Sequence, residues 1–519
     1  MPMPEHIATK VEELDDSARV VVEAIWQMQE ELRAENEQLR ANIEQLQRML
    51  FGKRSEKMPN INDEVRRQIS EEELTPELLG LDPDTPKKEL DEARKHERRK
   101  RSRRASEPAR EAKRKARKKL PVVRQEVLVR AEQLPEGLTR DDFDVVGSGS
   151  IVQRIEHVRE HFHVTEYVLE TLKQRGGETI VKASPPPGVV DGGTYGPGVY
   201  ARVAVSKCVD SMPFYRQQRT LARAGVPIAR SVLCSLFHRA AEVLKPVYER
   251  LVEMACAHPY VHADETKLRI GEPKRARDAW VWTVLSEDVV AYVFSESRAA
   301  ETPNHLLAGS NGVLMVDGYA GYNGVVGDEG RIRAGCWAHA RRKFFEARGT
   351  APEASEMLDL ILKLYRVERA VADRGELGSD RHGEIRDSLS RELVDKIEAW
   401  VDERRGTVLP KGPLGTALEF AFNQRKALRQ FLDDPKIALD NNIAERALRV
   451  VAVGRKNYLF VGHFEGGQNL TVLQTICHTC QLHGVNPYEY LSDVLVRVRE
   501  HPASRLDELL PQNWVSPPV

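Results

Sequence analysis

Four short apolar runs between residues 260 and 318 constrain this chain more than any other feature. YVHADETKLRI, AWVWTVLS and VVAYVFSE follow one another, and after a short helical stretch near Arg298 to Leu307 comes GVLMVDG. Runs of this length, rich in Val, Trp, Tyr and Ile and bounded by polar turns, read as strands. Two of them carry an aspartate where a soluble sheet has little use for one. Asp264 sits inside the first run, and Asp317 closes the fourth, straight after Val313-Leu314-Met315-Val316. A carboxylate at the end of a buried apolar strand is costly unless it pairs or binds a cation.

Three strands in a row, a helix and a further strand predict the opening of an RNase H-like fold. In that topology the first and fourth strands are neighbours, so Asp264 and Asp317 converge. Two converging carboxylates repel each other, and a divalent metal removes the repulsion. Magnesium suits such a site because it takes a few carboxylates and fills its remaining positions with water and phosphate oxygens. Mn2+ is the expected substitute.

A third acid has to come from a helix beside the sheet. DNNIAERALRVVAVGRKNYLF, from Asp440, supplies such a helix, with Asn441 or Asp440 as its cap. Glu445 and Arg449 fall one turn apart on a shared face. Glu445 is the candidate ligand. On spacing alone Asp440 remains an alternative, and a surface salt bridge from Glu445 to Arg449 explains the glutamate equally well. Arg446, Arg449, Arg455 and Lys456 make the helix positive, which suits a phosphate backbone. The stretch between Asp317 and Glu445 is longer than a sheet needs. Met357, Leu360, Ile361, Leu364, Val367 and Val371 follow helical spacing there, so a helical insertion is expected.

The amino-terminal third has a different character. Ile25, Leu32, Leu39 and Leu46 recur every seven residues, with Asn36, Ile43 and Leu50 in the complementary position. This heptad seam predicts a parallel coiled-coil dimer, in which two facing Asn36 amides pair. The alternative is one amphipathic helix packed on its own chain. The formal net charge of −1 hides a strong segregation of sign. Residues 94 to 119 carry fifteen Lys or Arg against three Glu, including Lys113, Arg114 and Lys115. Such a run stays extended until it meets a polyanion, and its binding to DNA is steeply salt-dependent.

Residues 121 to about 200 alternate apolar and polar and read as a small β-rich module. His157, His161 and His163 lie close together in it. With no cysteine in the stretch they read as ordinary strand histidines. YRQQRTLARAGVPIARSVLCSLFHRAAEVL then predicts a helix, a turn at Ala224-Gly225-Val226-Pro227 and a second helix starting near Ile228. That is a helix-turn-helix pattern, with Arg230 and Ser231 where base edges are met. An ordinary helical hairpin gives the same periodicity.

The six cysteines are scattered and suggest no disulfide framework. Cys336 and His339 have C-x-x-H spacing, and Cys477 and Cys480 have C-x-x-C spacing, so the two pairs form a zinc site if they meet. Core cysteines and an active-site histidine beside phosphate account for them as well. MPMPEHIATK lacks the apolar core of a signal peptide, and no apolar run reaches bilayer-spanning length. A cytoplasmic, nucleoid-associated protein that does not engage membranes is expected.

Taken together, these segments resemble the transposases of the insertion sequence 66 family. HADET, VDGYAGY, GCWAHARRKF, DNNIAERALR and GRKNYLFVG carry the resemblance, with LFGKRSEK, PFYRQQ, GVNPYEYL and LLPQNW around them. It covers nearly the whole chain, and the DNN-x-x-ER-x-x-R block is its most specific piece. The resemblance implies an RNase H-like core with an Asp-Asp-Glu triad and a helical insertion, which falls on Asp264, Asp317 and Glu445. It implies action on the inverted terminal repeats of a mobile element, where 3′-hydroxyls are freed and joined to target DNA. Small accessory proteins of the same element are possible partners. One departure stands out. The family usually has a cysteine-ligated zinc module ahead of the helix-turn-helix, and GSGSIVQRIEHVREHFHVTEYVLETLKQRGG lacks those cysteines. This puts a structural Zn2+ in doubt.

The expected organisation is therefore multidomain α/β: a coiled coil (1–51), a basic linker (52–120), the β-rich module (121–200) and helix-turn-helix-like helices (201–258). The catalytic core follows in two parts (259–350 and 436–484) around the helical insertion (351–435), with a helical tail (485–519). His339 and Arg342 are expected to position phosphate. Two other functions remain: a metal nuclease of the same fold that cuts without joining, and a DNA-binding regulator with a decayed core.

Overall fold

The structure, a computed structural model, describes residues 162–169, 171–173, 180–182, 186–271, 275–327 and 330–516, with a few isolated positions before residue 62. The heptad seam, the basic run with Lys113, Arg114 and Lys115, and His157 and His161 lie outside the described residues. Of the β-rich segment, two three-residue strands are described, β1 (Thr171–Lys173) and β2 (Ile180–Lys182), paired antiparallel. His163, just before them, is exposed.

Three helices follow: α1 (Pro197–Cys208), α2 (Phe214–Arg223) and α3 (Arg230–Ala257). The connection from α2 to α3 turns at Gly225, whose φ of +90° is a backbone conformation that favours glycine. Beyond Pro227, α3 begins at Arg230, two residues later than its periodicity predicts. Arg230 and Ser231 are exposed at its first turn. The rest of α3 is no free-standing reader. Leu233, Leu236, Phe237, Ala240, Leu244 and Leu251 are buried in a core shared with the central sheet.

That sheet has five strands: β3 (Tyr260–Ile270), β4 (Arg277–Leu285), β5 (Val290–Ser295), β6 (Gly312–Val316) and β7 (Arg331–Gly335). Their order is β5-β4-β3-β6-β7. β3, β4 and β5 run antiparallel in succession, whereas β6 is parallel to β3 and β7 is parallel to β6. The first and fourth strands are neighbours, as the sequence requires. A short helix, α4 (Glu301–Leu306), carries the chain from β5 to β6. Gly312 begins β6 with φ +96°, where a Cβ would collide with the Pro259 carbonyl.

β7 was not legible in the sequence, because RIRAG shows no apolar alternation. Its first residue explains why. Arg331 is fully buried, and its guanidinium donates to the carbonyls of Cys256, His258 and Val313 and to Ser310 Oγ. A buried cation is tolerable when its N–H groups are satisfied in this way.

After β7 the chain becomes helical: α5 (Trp337–Ala347), α6 (Ala354–Arg374), α7 (Asp380–Ile385), α8 (Arg391–Arg405) and α9 (Pro413–Arg429). On α6, Met357, Ile361, Leu364 and Val371 are buried, while Leu360 and Val367 are half-buried. The chain then returns to the sheet with α10 (Asn442–Tyr458), α11 (Phe464–Leu482) and α12 (Pro487–Arg497). α10 lies along β3 and β4, and α11 lies against β5. Thr475 Oγ1 of α11 accepts from Tyr292 N at 2.9 Å, and Thr479 Oγ1 accepts from Val290 N at 3.3 Å. Side chains of α11 thus cover the free edge of β5, which would otherwise invite another strand.

Candidate active site

Strand register brings the two aspartates together. β3 and β6 are paired through His262 and Met315. Two residues beyond that pair come Asp264 in β3 and Asp317 just past the end of β6, and the register, continued, brings them level on the same face. Asp264 accepts a hydrogen bond from Glu265 N at 2.9 Å, and Asp317 accepts one from Tyr319 N at 2.8 Å. Gly318, next to Asp317, lets Phe420 of α9 close over this strand end, since a Cβ there would stand 2.7 Å from the ring.

Electrostatics records the convergence. Burial, opposed by the Glu265 amide hydrogen bond and aided by the negative charges of Glu265, Asp317 and Glu445, pushes the Asp264 carboxyl up to about 7. Both other candidate acids therefore act on Asp264 through a poorly solvated space. Glu445 arrives there in the first turn of α10. Its ion-pair partners are His339 Nδ1 and Arg342 Nη2 of α5, each at 3.7 Å, rather than Arg449. Glu445 Oε1 and His339 Nδ1 are both buried without a hydrogen bond. Burial holds His339 below the usual imidazole range, against the pull of Glu445.

Asp440, the other acid at this helix start, is fully engaged. Its Oδ1 accepts from Asn442 N at 3.0 Å, and its Oδ2 accepts from Asn442 Nδ2 and from the Tyr365 hydroxyl of α6. Its side chain satisfies the first N–H of the helix, while Asn441, at the N-cap position, makes no side-chain cap.

Asn441 has a different task, which its place in the sequence did not reveal. It is completely buried. Its Nδ2 donates to Ala263 O at 2.8 Å, and its Oδ1 meets His262 Nδ1 at 3.0 Å, so it holds β3 just before Asp264. Its backbone N–H donates to Cys336 Sγ, at the start of the helix bearing His339 and Arg342. Its carbonyl accepts from Glu445 N at 3.2 Å. One side chain and its peptide groups thus join β3, α5 and α10, three of the four elements that carry the candidate site.

A second group was also missed. Glu265 is buried beside Asp264 and accepts from Arg298 Nε and Nη2 and from the Tyr322 hydroxyl. Arg298 packs over the rings of Trp280 and Tyr319. The signal for it was weak, since a single arginine after a strand looks like any turn residue.

The paired cysteines do not form a metal centre. Cys336 is buried, its thiol pushed up to about 12 by burial and neighbouring charge, and it serves Asn441. Cys477 and Cys480 are buried in α11, where Cys477 engages the thiol of Cys208. Among the described residues no group of three or more His, Cys, Asp or Glu side chains is gathered as a metal cage. The Asp264, Asp317 and Glu445 set fits a divalent ion in another way. The unpaired buried oxygen of Glu445 and the negative charge around Asp264 would suit one that keeps waters and phosphate oxygens as most of its ligands.

The family model for the Transposase IS66 family matches residues 192–469, and the model for the IS66 C-terminal element matches residues 475–512. The chain belongs to the IS66 transposase family. It is similar to uncharacterized protein y4jD of Sinorhizobium fredii, with 30% identity over 92% of this chain and 94% of that protein. Uncharacterized protein y4qI of the same organism is 32% identical over 70% of each chain. Membership makes transposition the general activity, DNA the partner and a divalent metal the expected cofactor. Among the described residues no helix is long and apolar enough to cross a membrane.

Proposed function

We propose that this IS66 transposase binds the terminal inverted repeats of its element, cleaves the element ends and joins the freed 3′-hydroxyls to target DNA. The fold that carries this chemistry is read as an RNase H-like core interrupted by the helices from α6 to α9. The observation that supports the reading most is the levelling of Asp264 with Asp317 across β3 and β6, with Glu445 acting on Asp264 from α10. Mg2+, or Mn2+ in its place, is the cofactor in this reading, and when bound it neutralises charge on the reacting phosphate and its flanking oxygens.

The residues of the chain do the rest. Asp264 and Asp317 offer carboxylates from a rigid sheet, and Glu445 adds a third from the first turn of a helix. His339, kept neutral by burial, orients the attacking hydroxyl or water beside Glu445. Arg342, exposed on α5, holds a phosphate oxygen. Arg446, Arg449 and Lys456 are exposed on α10 and receive the DNA backbone, whereas Arg455, half-buried and bonded to Thr266 and Lys267 O of β3, fixes the helix end that presents them. Arg230 and Ser231 read the repeat from the exposed start of α3. Lys113, Arg114 and Lys115 add a tether that follows phosphate. A homodimer through the heptad seam brings two ends together, in the cytoplasm and on the nucleoid.

The test is strand cleavage of an end-containing duplex by the full chain with Mg2+. Asp264→Asn is expected to abolish cleavage and leave end binding intact. Full cleavage by that variant would remove the triad. A wild-type chain that cuts but fails to join pre-cut ends to target DNA would favour the nuclease reading.

A further inference from the structure

The last residue of α10's ridge has a conformation that its side chain does not favour. Leu459 has φ +63° and ψ −43°, and Phe460 N donates to Tyr458 O at 2.7 Å across it. This is the tight three-residue turn of the rare, strained hand. For a residue with a branched side chain such a backbone is an outlier that tertiary structure has to impose. The leucine gains no burial in return, since it is 63% exposed.

The turn is nevertheless fixed on both sides. Leu459 N donates to Arg455 O at 3.0 Å, and Arg455 Nη1 in turn donates to Thr266 Oγ1 and Lys267 O of β3. On the other side Val461 pairs with the end of β3, its N–H donating to Arg269 O and its carbonyl accepting from Gly271 N. Leu459 is therefore a rigidly presented apolar tip.

Its surroundings indicate what it meets. Ile443, Arg446, Arg449, Val453 and Lys456 are the exposed positions of α10. They recur at three- and four-residue steps and form one stripe that Leu459 extends. A second copy of the chain is a poor occupant, because three cations would face three cations. A duplex suits both components, with phosphates on the cations and bases beside the apolar side chain. Leucine is among the side chains that enter base steps and partly unstack them.

We propose that Leu459 is a wedge that opens a base step in the DNA lying along α10. This rests on the DNA-processing reading above. From Asp264 to Ile270, beside the turn, is six strand residues, or about 20 Å. With DNA following the strand at about 3.4 Å per step, the opened step falls roughly six base pairs from the cut.

The experiment uses the full chain and terminal-repeat duplexes carrying 2-aminopurine at successive positions, read by fluorescence alongside cleavage with Mg2+. In the wild type, binding is expected to raise fluorescence severalfold at one position. Leu459→Ala is expected to keep binding, lose that signal and cut an order of magnitude more slowly. Leu459→Gly, which suits a positive φ, is expected to melt at a higher temperature yet lose the signal just as fully. A scaffold role would instead link the two. Fluorescence that stays flat at every position in a wild type that cuts, or an undiminished signal in Leu459→Ala, overturns the wedge and leaves the cleavage reading standing. Failure of the wild type to bind or cut end DNA overturns both.

Discussion

Two regions of the molecule bury carboxylates and treat them in opposite ways. In the helices between β7 and α10, Glu368 accepts from Arg386 Nε at 2.8 Å and Nη2 at 2.7 Å, and from His382 Nε2 at 3.2 Å. Arg386 is itself 1% exposed and gives its remaining amine to the carbonyls of Phe431 and Asp434. The charges of this Glu368–Arg386–His382 cluster are answered from within. At the sheet, Asp264 is pushed up to about 7, and Glu445 keeps a buried oxygen with no hydrogen bond. Even adjacent residues divide this way, because Glu265 has Arg298 and Tyr322 while Asp264 has a backbone amide. A buried acid with its own cation is architecture. Asp264, which has none, is left for a charge that comes from outside.

The contrast can be attacked from the side of the satisfied pair. Arg386→Met leaves Glu368 buried without its cation, which should cost about 3–5 kcal/mol of stability. Denaturant melts of the metal-free chain measure it, and the cation concentration needed for cleavage should not move. A loss no larger than that of an exposed pair would mean that the helices do not depend on internal neutralisation.

Asp264 gives the next largest effect. Its folded pKa of about 7 lies above its ordinary 3.8. The fold therefore favours the protonated acid. That contribution is complete below about pH 4 and is lost as pH rises through about 7. The metal-free chain should lose up to about 4 kcal/mol over that interval, at about 1.4 kcal/mol per unit. Saturating Mg2+ should flatten the slope, and Asp264→Asn should remove it. A slope that survives in the Asn variant would assign the titration to another group.

Asn441→Ala comes third. It leaves Ala263 O and His262 Nδ1 without partners inside the protein, a cost of about 1–3 kcal/mol. It also frees Glu445 to shift against Asp264, and a displacement of about 1 Å can cost about a hundredfold in rate. The expected result is a rate loss well beyond the fall in folded fraction. Equal losses in the two would reduce Asn441 to packing.

Legibility in the sequence followed the same division. β3 to β6 were visible because each holds a short run of apolar residues bounded by polar turns, even though β3 also carries Glu265, Lys267 and Arg269. Asp317 stood out because it directly follows the apolar run of β6, and Asp264 because it sits in mid-strand beside that strand's apolar positions. β7 was hidden by Arg331, whose burial depends on carbonyls distant in sequence. Glu445 was one of two acids at the start of its helix, and the difference from Asp440 emerges only when Tyr365 and Asn442 occupy the latter. Asn441 looked like a cap because it stands where caps stand. Its contacts to β3 and Cys336 span long separations that no local pattern encodes.

The smallest effect tests the same division among cations on α10. Arg446, Arg449 and Lys456 are exposed, whereas Arg455 is tied to Thr266 and Lys267 O. If the first three meet phosphate, each change to Ala should lower the slope of log affinity against log salt by about 1, with little change in melting temperature. Arg455→Ala should do the reverse, leaving the slope near the wild-type value and lowering the melting temperature, because the turn after α10 loses its anchor on β3. Filter binding across a salt series, run beside thermal melts, separates the two classes. A slope that falls equally for Arg455→Ala would place that guanidinium on DNA in the complex and require it to leave β3. A slope unchanged for all three exposed positions would move the DNA path off this helix, and the wedge at Leu459 would have to be abandoned with it.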